Sequence, residues 1–154
     1  MKSKNSIMDT IIEIICWTLV IGIPVYLIVM WKNIPNEIPM HYDALGNVDR
    51  WGDKSELVIL PIMTFLMCSF ISVVERFPQI WNTGVKITEE NKERVYRVLK
   101  NMIKITKLVT IADFSFMTIT SLMGKDLPIW FGPVFLILIF GNIIFWLIKL
   151  VKIK

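Results

Sequence analysis

The sequence is poor in the residues from which enzyme and metal sites are usually built. It has one histidine, His41, and two cysteines, Cys16 and Cys68, in 154 residues. His41 has Glu37, Asp43, Asp49 and Asp53 near it in sequence. That set lacks the close pair of ligands on one element that zinc sites show, so no metal site is expected. Both cysteines fall inside apolar runs and read as small core residues, not as a disulfide framework; they say nothing of redox compartment. No nucleophile stands beside a companion base and no glycine loop is suited to phosphate, so neither an enzyme nor a bound cofactor is expected. Internal repeats and low-complexity tracts are absent. The first apolar stretch is not followed by a small-residue cleavage site, which predicts a retained signal anchor.

Apolar residues are abundant instead. The hydrophobic fraction is 55% and the mean hydropathy +0.59, too high for a small water-soluble globule. The length suggests one domain. Four runs approach the roughly 20 residues that a helix needs to cross a bilayer: 11–31, 57–74, 105–123 and 127–148. The expected fold is therefore an all-α membrane protein with four transmembrane helices. Gly22-Ile23-Pro24 predicts a kink in the first run, and Pro61 is tolerable in the first turns of the second. Only Gly124-Lys125-Asp126 separates the third and fourth runs, which predicts a tight antiparallel hairpin with Pro128 at a helix start.

The net charge of +4 could suggest nucleic acid, but the placement of the lysines and arginines points to a lipid bilayer. With a cytoplasmic N-terminus, Lys2, Lys4, the 75–107 region, Lys149, Lys152 and Lys154 put 13 basic residues inside. Only 4, Lys32, Arg50, Lys54 and Lys125, stay outside. This bias predicts cytoplasmic N- and C-termini, with Trp31 and Trp130 at the outer interface and Trp146 at the inner one. Within the inner segment, Thr88-Glu89-Glu90 reads as a helix start. Val95, Val98, Leu99, Met102, Ile103 and Thr106 follow at helical spacing and run unbroken into the third span. The third helix is thus expected to extend into the cytoplasm. Arg97, Lys100, Lys104 and Lys107 form a basic stripe opposite that packed face. The stripe reads as contact with anionic headgroups or as a docking face for a cytoplasmic partner.

Asp113 lies near the middle of the third run, in phase with Val95, and is expected to face the bundle interior. Its candidate partners are the small-residue row Thr64, Cys68 and Ser72 on the second run, and Asn142 on the fourth. A structural hydrogen bond and a ligand, proton or conformational role are the alternatives. A proton pathway would need further ionisable groups at depth, and none is evident in the sequence.

The outer loop, 32–56, is more patterned than a spacer. Ile34 to Tyr42 should be extended because of Pro35 and Pro39, and Ala44-Leu45-Gly46-Asn47 is a turn signal with Gly46 or Asn47 at positive φ. A short hairpin follows, with Asp53 or Ser55 capping the second helix. His41, Tyr42 and Trp51 suit an interface anchor, and the loop equally suits contact with an extracellular peptide. The pattern Ile38-Pro39-x-His41-aromatic-x-x-x-Gly46-x-x-Asp49-x-Trp51-Gly52-x-Lys54 sits between two predicted spans. It resembles a small bacterial membrane domain of unknown function, best known as the N-terminal half of SdpI-type immunity proteins. The detailed match covers 31–61. The resemblance implies a bacterial cell-membrane protein that gives immunity to, or senses, a membrane-active peptide toxin, and that can hold a cytoplasmic repressor at the membrane. Pro39, His41, Tyr42, Gly46, Asp49, Trp51 and Lys54 would then form the binding motif. The alternative is a small transporter or channel component using Asp113. Direct nucleic-acid binding is not expected on either reading.

Overall fold

A computed structural model describes residues 6–153, so Lys2, Lys4 and Lys154, counted above for topology, lie outside the described residues. The element order is α1 (Ile7–Met30), β1 (Glu37–Tyr42), β2 (Val48–Asp53), α2 (Ile59–Arg76), α3 (Lys92–Leu122) and α4 (Phe131–Val151). Short 3-10 turns follow α1, lead into α2 and follow α2.

Among the described residues, three helical stretches are long and apolar enough to cross a membrane: Ile7–Asn33, Lys54–Arg76 and Phe131–Val151. Their outward faces carry large exposed apolar side chains, such as Ile28, Phe70 and Ile137, and none of these has a core to enter. This is the composition of a multi-pass membrane protein, in which lipid stands where water would be intolerable.

The fourth helix of the bundle differs in kind. α3 is 31 residues long and unbroken, about 46 Å at the usual rise, but its lysines set it apart from the other three. It packs against α1, α2 and α4 in turn. α1 runs in the same direction as α3, since Asp9 meets Lys100 at one end while Leu27 packs in the cluster that includes Ile119 and Leu122 at the other. α2 and α4 run the opposite way, so the start of α1 and the end of α4 share the end of the bundle away from the hairpin.

The core follows from spacing. On α1 the buried residues are Asp9, Ile12, Cys16, Val20, Ile23 and Leu27, a repeat of three and four that keeps one stripe inward. The 3-10 turn before α2 offers Leu57, and α2 itself offers Pro61, Thr64 and Cys68. α3 offers Lys104, Lys107, Ile111, Ser115 and Thr118. The Thr64 and Cys68 positions face inward as small residues at a close helix contact should, and Cys16 and Cys68 are both buried and unbridged.

Local signals explain where helices begin and end. Ser6 caps α1, its hydroxyl accepting from the Asp9 amide while the Asp9 carboxylate accepts from the Ser6 amide. α1 continues through Pro24 as one helix. Thr88 and Asn91 make the same reciprocal exchange, Thr88 N–H to Asn91 Oδ1 at 2.9 Å and Asn91 N–H to Thr88 Oγ1 at 3.2 Å. That places a turn before α3, whose regular helix starts at Lys92, later than the Thr88 start read from sequence. α3 stops at Gly124 with φ +65°, where the Gly124 and Lys125 amides donate back to Ser121 and Thr120 carbonyls. The Leu127 amide is taken by the hairpin, as described below, and α4 begins at Phe131, not at Leu127.

Candidate functional site

The loop between α1 and α2 is an antiparallel hairpin. Glu37 pairs with Asp53, Ile38 with Gly52, Pro39 with Trp51, His41 with Arg50 and Tyr42 with Val48, with register irregularities on both sides of His41. Ile38 and Pro39 are both buried, and Ile38 anchors the hairpin over Ile34, Leu27 and Leu57. His41 is exposed; its Nδ1 lies 2.6 Å from Asp49 Oδ1 across the strands. Arg50 pairs with Glu56 at 3.1 Å, and Lys54 sits over the Trp31 ring at 5.7 Å. Asp53 accepts from the Ser55 amide and opens the 3-10 turn that leads into α2.

The tip is organised by Asp43. Its carboxylate accepts from the Leu45 amide, the Asn47 amide and the Asn47 side chain, at 2.8, 2.9 and 2.9 Å. The Asn47 side chain, then the amides, hold this carboxyl below the usual range. Gly46 takes φ +91° at the turn. Its carbonyl accepts from the Leu127 amide at 2.8 Å, and Asp126 Oδ1 accepts from the Val48 amide at 2.8 Å. Tyr42 completes the seat: its hydroxyl lies 3.1 Å from Ser121 Oγ and donates to the Lys125 carbonyl at 3.2 Å. Burial, the larger cause, and the Asp126 charge push this phenol above its usual pKa, while the Ser121 bond opposes them. Tyr42→Phe is expected to cost about 0.5–1.5 kcal/mol, the net worth of such bonds, read as lower thermal stability in detergent with the bundle otherwise intact.

Between the hairpin tip and the start of α4 lies a largely apolar groove of about 490 Å³. Tyr42, Leu45, Met117, Leu127, Phe131 and Leu136 line it. The sequence pattern of the loop is therefore seated on the α3–α4 connection, and the docked tip makes the groove. Residues 18–65 match the family model of a domain of unknown function, DUF1648. The DUF1648 match takes in the second half of α1, the whole hairpin and the first turns of α2. The chain is also 25% identical over 132 residues to an uncharacterized protein of Archaeoglobus fulgidus, a match that covers 75% of this chain and 70% of that one. No solved structure matches. Beyond the DUF1648 segment lie α3, which supplies Ser121 to the hairpin's seat, and the α3–α4 connection, which supplies Asp126 and Leu127. Among the described residues no group of three metal-binding side chains is found, around His41 or elsewhere.

The second polar concentration lies at the opposite end of the bundle, and it corrects the reading of the basic stripe. Lys100, Lys104 and Lys107 do not face headgroups or an open docking surface. They point into the bundle, and Lys107 is 0% exposed. Lys100 Nζ lies 2.8 Å from Asp9 Oδ2. Lys104 Nζ is 3.1 Å from Glu13 Oε1 and 3.7 Å from Glu75 Oε2. Lys107 donates to Glu13, to Glu75 at 3.1 Å and to Ser72 Oγ at 3.3 Å. Of the stripe only Arg97 is exposed, paired with Glu93. The physical reason is that α3 has neighbours on several sides: Val95 and Leu99 pack beneath Leu150 of α4, while the lysine side meets α1 and α2. Asp9, Glu13 and Glu75 supply ionisable groups within the bundle that the sequence reading did not count. Asp9 and Glu13 four apart on one helix, against Lys100, Lys104 and Lys107 on another, was the available signal.

Asp113 also differs from expectation. It is half-buried, and no hydrogen bond or ion pair reaches it among the described residues. Asn142, its candidate partner, donates instead to Thr106 Oγ1 at 2.9 Å and to the Met102 carbonyl at 3.3 Å. Ser72, another candidate, is engaged by Lys107.

Proposed function

We propose that this is a four-span protein of the cytoplasmic membrane that binds a membrane-active peptide toxin at its extracytoplasmic hairpin, as an immunity or sensing protein of SdpI type. In this reading α3 is the third span, its lysines neutralised by α1 and α2, and both termini and the Lys92 end of α3 are cytoplasmic. Positive residues at the Arg76–Arg97 end and at Lys149 and Lys152 support that orientation. The observation that carries the reading is the apolar groove held open by the patterned hairpin. Its α4 wall, Phe135 and Leu136, continues directly into the exposed Ile137 and Leu138. A peptide arriving along the lipid would meet this groove without leaving an apolar environment. A cytoplasmic repressor would take the signal at the inner end. Lipid and peptide are thus the partners, and no catalysis is assigned.

The test is protection. A sensitive host expressing the chain is expected to survive a secreted peptide that kills the empty host, and Leu45→Asp is expected to lose protection at normal membrane accumulation. Leu45 is exposed and lines the groove, so this change leaves the core untouched. Unaltered killing across a panel of membrane-active peptides overturns the reading. A second reading, a small transporter or channel component, is supported by Asp113, a half-buried carboxylate with no partner among the described residues. There, Asp113→Asn is expected to abolish a flux in liposomes while the chain stays folded.

A further inference from the structure

The three acids of the buried network are not held equally. Asp9 receives the Lys100 ammonium and the Ser6 amide, each at 2.8 Å. Glu13 receives both Lys104 and Lys107. Glu75 receives Lys107 on Oε2 and has Lys104 only at 3.7 Å. Its other oxygen, Oε1, is buried with no hydrogen-bond partner among the described residues. A carboxylate oxygen out of water with no donor is costly, and a proton is the smallest group that removes the cost. Water is close at hand: Arg76, the next residue, is exposed and ends α2.

We propose that Glu75 is a reversible proton-binding site, and that a proton there releases the end of α2 from α3. The proton comes from hydronium in the water at this end of the bundle, which is left as water, and it binds Oε1. No covalent bond of the protein breaks, and the set of Asp9, Glu13 and Glu75 against Lys100, Lys104 and Lys107 goes from balanced to one positive charge in excess. The consequence is confined by the wiring. Glu13 keeps Lys104 and Lys107, and Asp9 keeps Lys100, so these charged ties between α1 and α3 survive. The two charged ties from Lys104 and Lys107 to α2 pass through Glu75, and both lose charge assistance together. The groups facing Glu75 are Glu13 and Cys16 from α1, Lys104 and Lys107 from α3, and Cys68 and Ser72 on its own helix. After α2, the Trp81 indole donates to the Val74 carbonyl at 2.8 Å, so the released segment includes the turn that follows.

The test uses the full chain in lipid nanodiscs, compared at neutral and mildly acid pH. Amide exchange over 70–77, corrected for intrinsic pH dependence, is expected to rise about tenfold in acid, the loss of one charge-assisted bond, while α1 is unchanged. Glu75→Gln is expected to exchange fast at both pH values. It should also lack the protonated-carboxyl infrared band that the wild type and Asp113→Asn gain in acid. The proposal is overturned if Glu75→Gln keeps the band and the acid response, if Asp113→Asn abolishes them, or if the wild type shows neither. A Glu75→Gln chain that fails to fold beside an acid-stable wild type overturns it too, because glutamine is the neutral isostere.

Discussion

Replacing Lys107 with methionine is expected to destabilise the bundle by about 3–5 kcal/mol, the range for breaking a buried ion pair from one side. Lys107 is fully buried and is where α1 and α2 are both tied to α3, through Glu13, Glu75 and Ser72. Methionine fills similar volume, so the loss is electrostatic: Glu13 and Glu75 stay in a low-dielectric interior with Lys104 alone between them. The double variant Lys107→Met/Glu75→Gln removes one charge of each sign and leaves Glu13 with Lys104, so it is expected to recover most of the stability. Arg97→Met, at an exposed pair with Glu93, is expected to change it by no more than about 0.5 kcal/mol. Reversible unfolding in mixed micelles, followed by circular dichroism, measures all three. Equal effects for Lys107→Met and Arg97→Met would mean that the lysine seam faces water.

The same seam shows what one sequence discloses and what it hides. The apolar runs on 11–31, 57–74 and 127–148 were legible because lipid-facing helices must be apolar all round, and each coincides with a long helix within a few residues. The hairpin was legible through Pro39 and the turn at Gly46, whose backbone requirements are local. The direction of the α3 lysines was not. A helix with packed neighbours on several sides has no polar face, and a basic stripe at helical spacing looks the same whether it meets phosphate or carboxylates on other helices. Deciding needs the partner positions, and Asp9 and Glu13 sit 91 or more residues from their lysines. Which group would meet Asp113 was hidden for the related reason that its candidate partner on α4, Asn142, is already engaged by Thr106. In the loop, Tyr42 and Gly46 were picked out as motif residues, but their partners Ser121 and Leu127 lie beyond a span and carry no sequence signal.

Gly46→Val is the second large expected effect, and it tests whether the hairpin and the α3–α4 connection act as one unit. A Cβ at Gly46 would stand 2.5 Å from the Leu127 carbonyl oxygen and 3.2 Å from Leu127 Cβ, in a backbone conformation of φ +91° that β-branched residues avoid. The strain alone costs about 1–3 kcal/mol. Relief of the clash requires the tip to lift, which breaks the Leu127 amide bond to Gly46 and the Val48 amide bond to Asp126, about 0.5–1.5 kcal/mol each. Gly84 provides the control: it has φ +62° but nothing within 4 Å of a Cβ, so Gly84→Val carries the backbone strain without the contact. Limited proteolysis within 43–47, on protein in nanodiscs, is expected to speed up for Gly46→Val and not for Gly84→Val. With the tip lifted, the apolar groove that Leu45 and Leu127 line no longer has its hairpin wall, so protection against a toxin should fall with it. A Gly46→Val chain that resists cleavage and still protects would separate the groove from the function, and would leave the hairpin as an interface anchor alone.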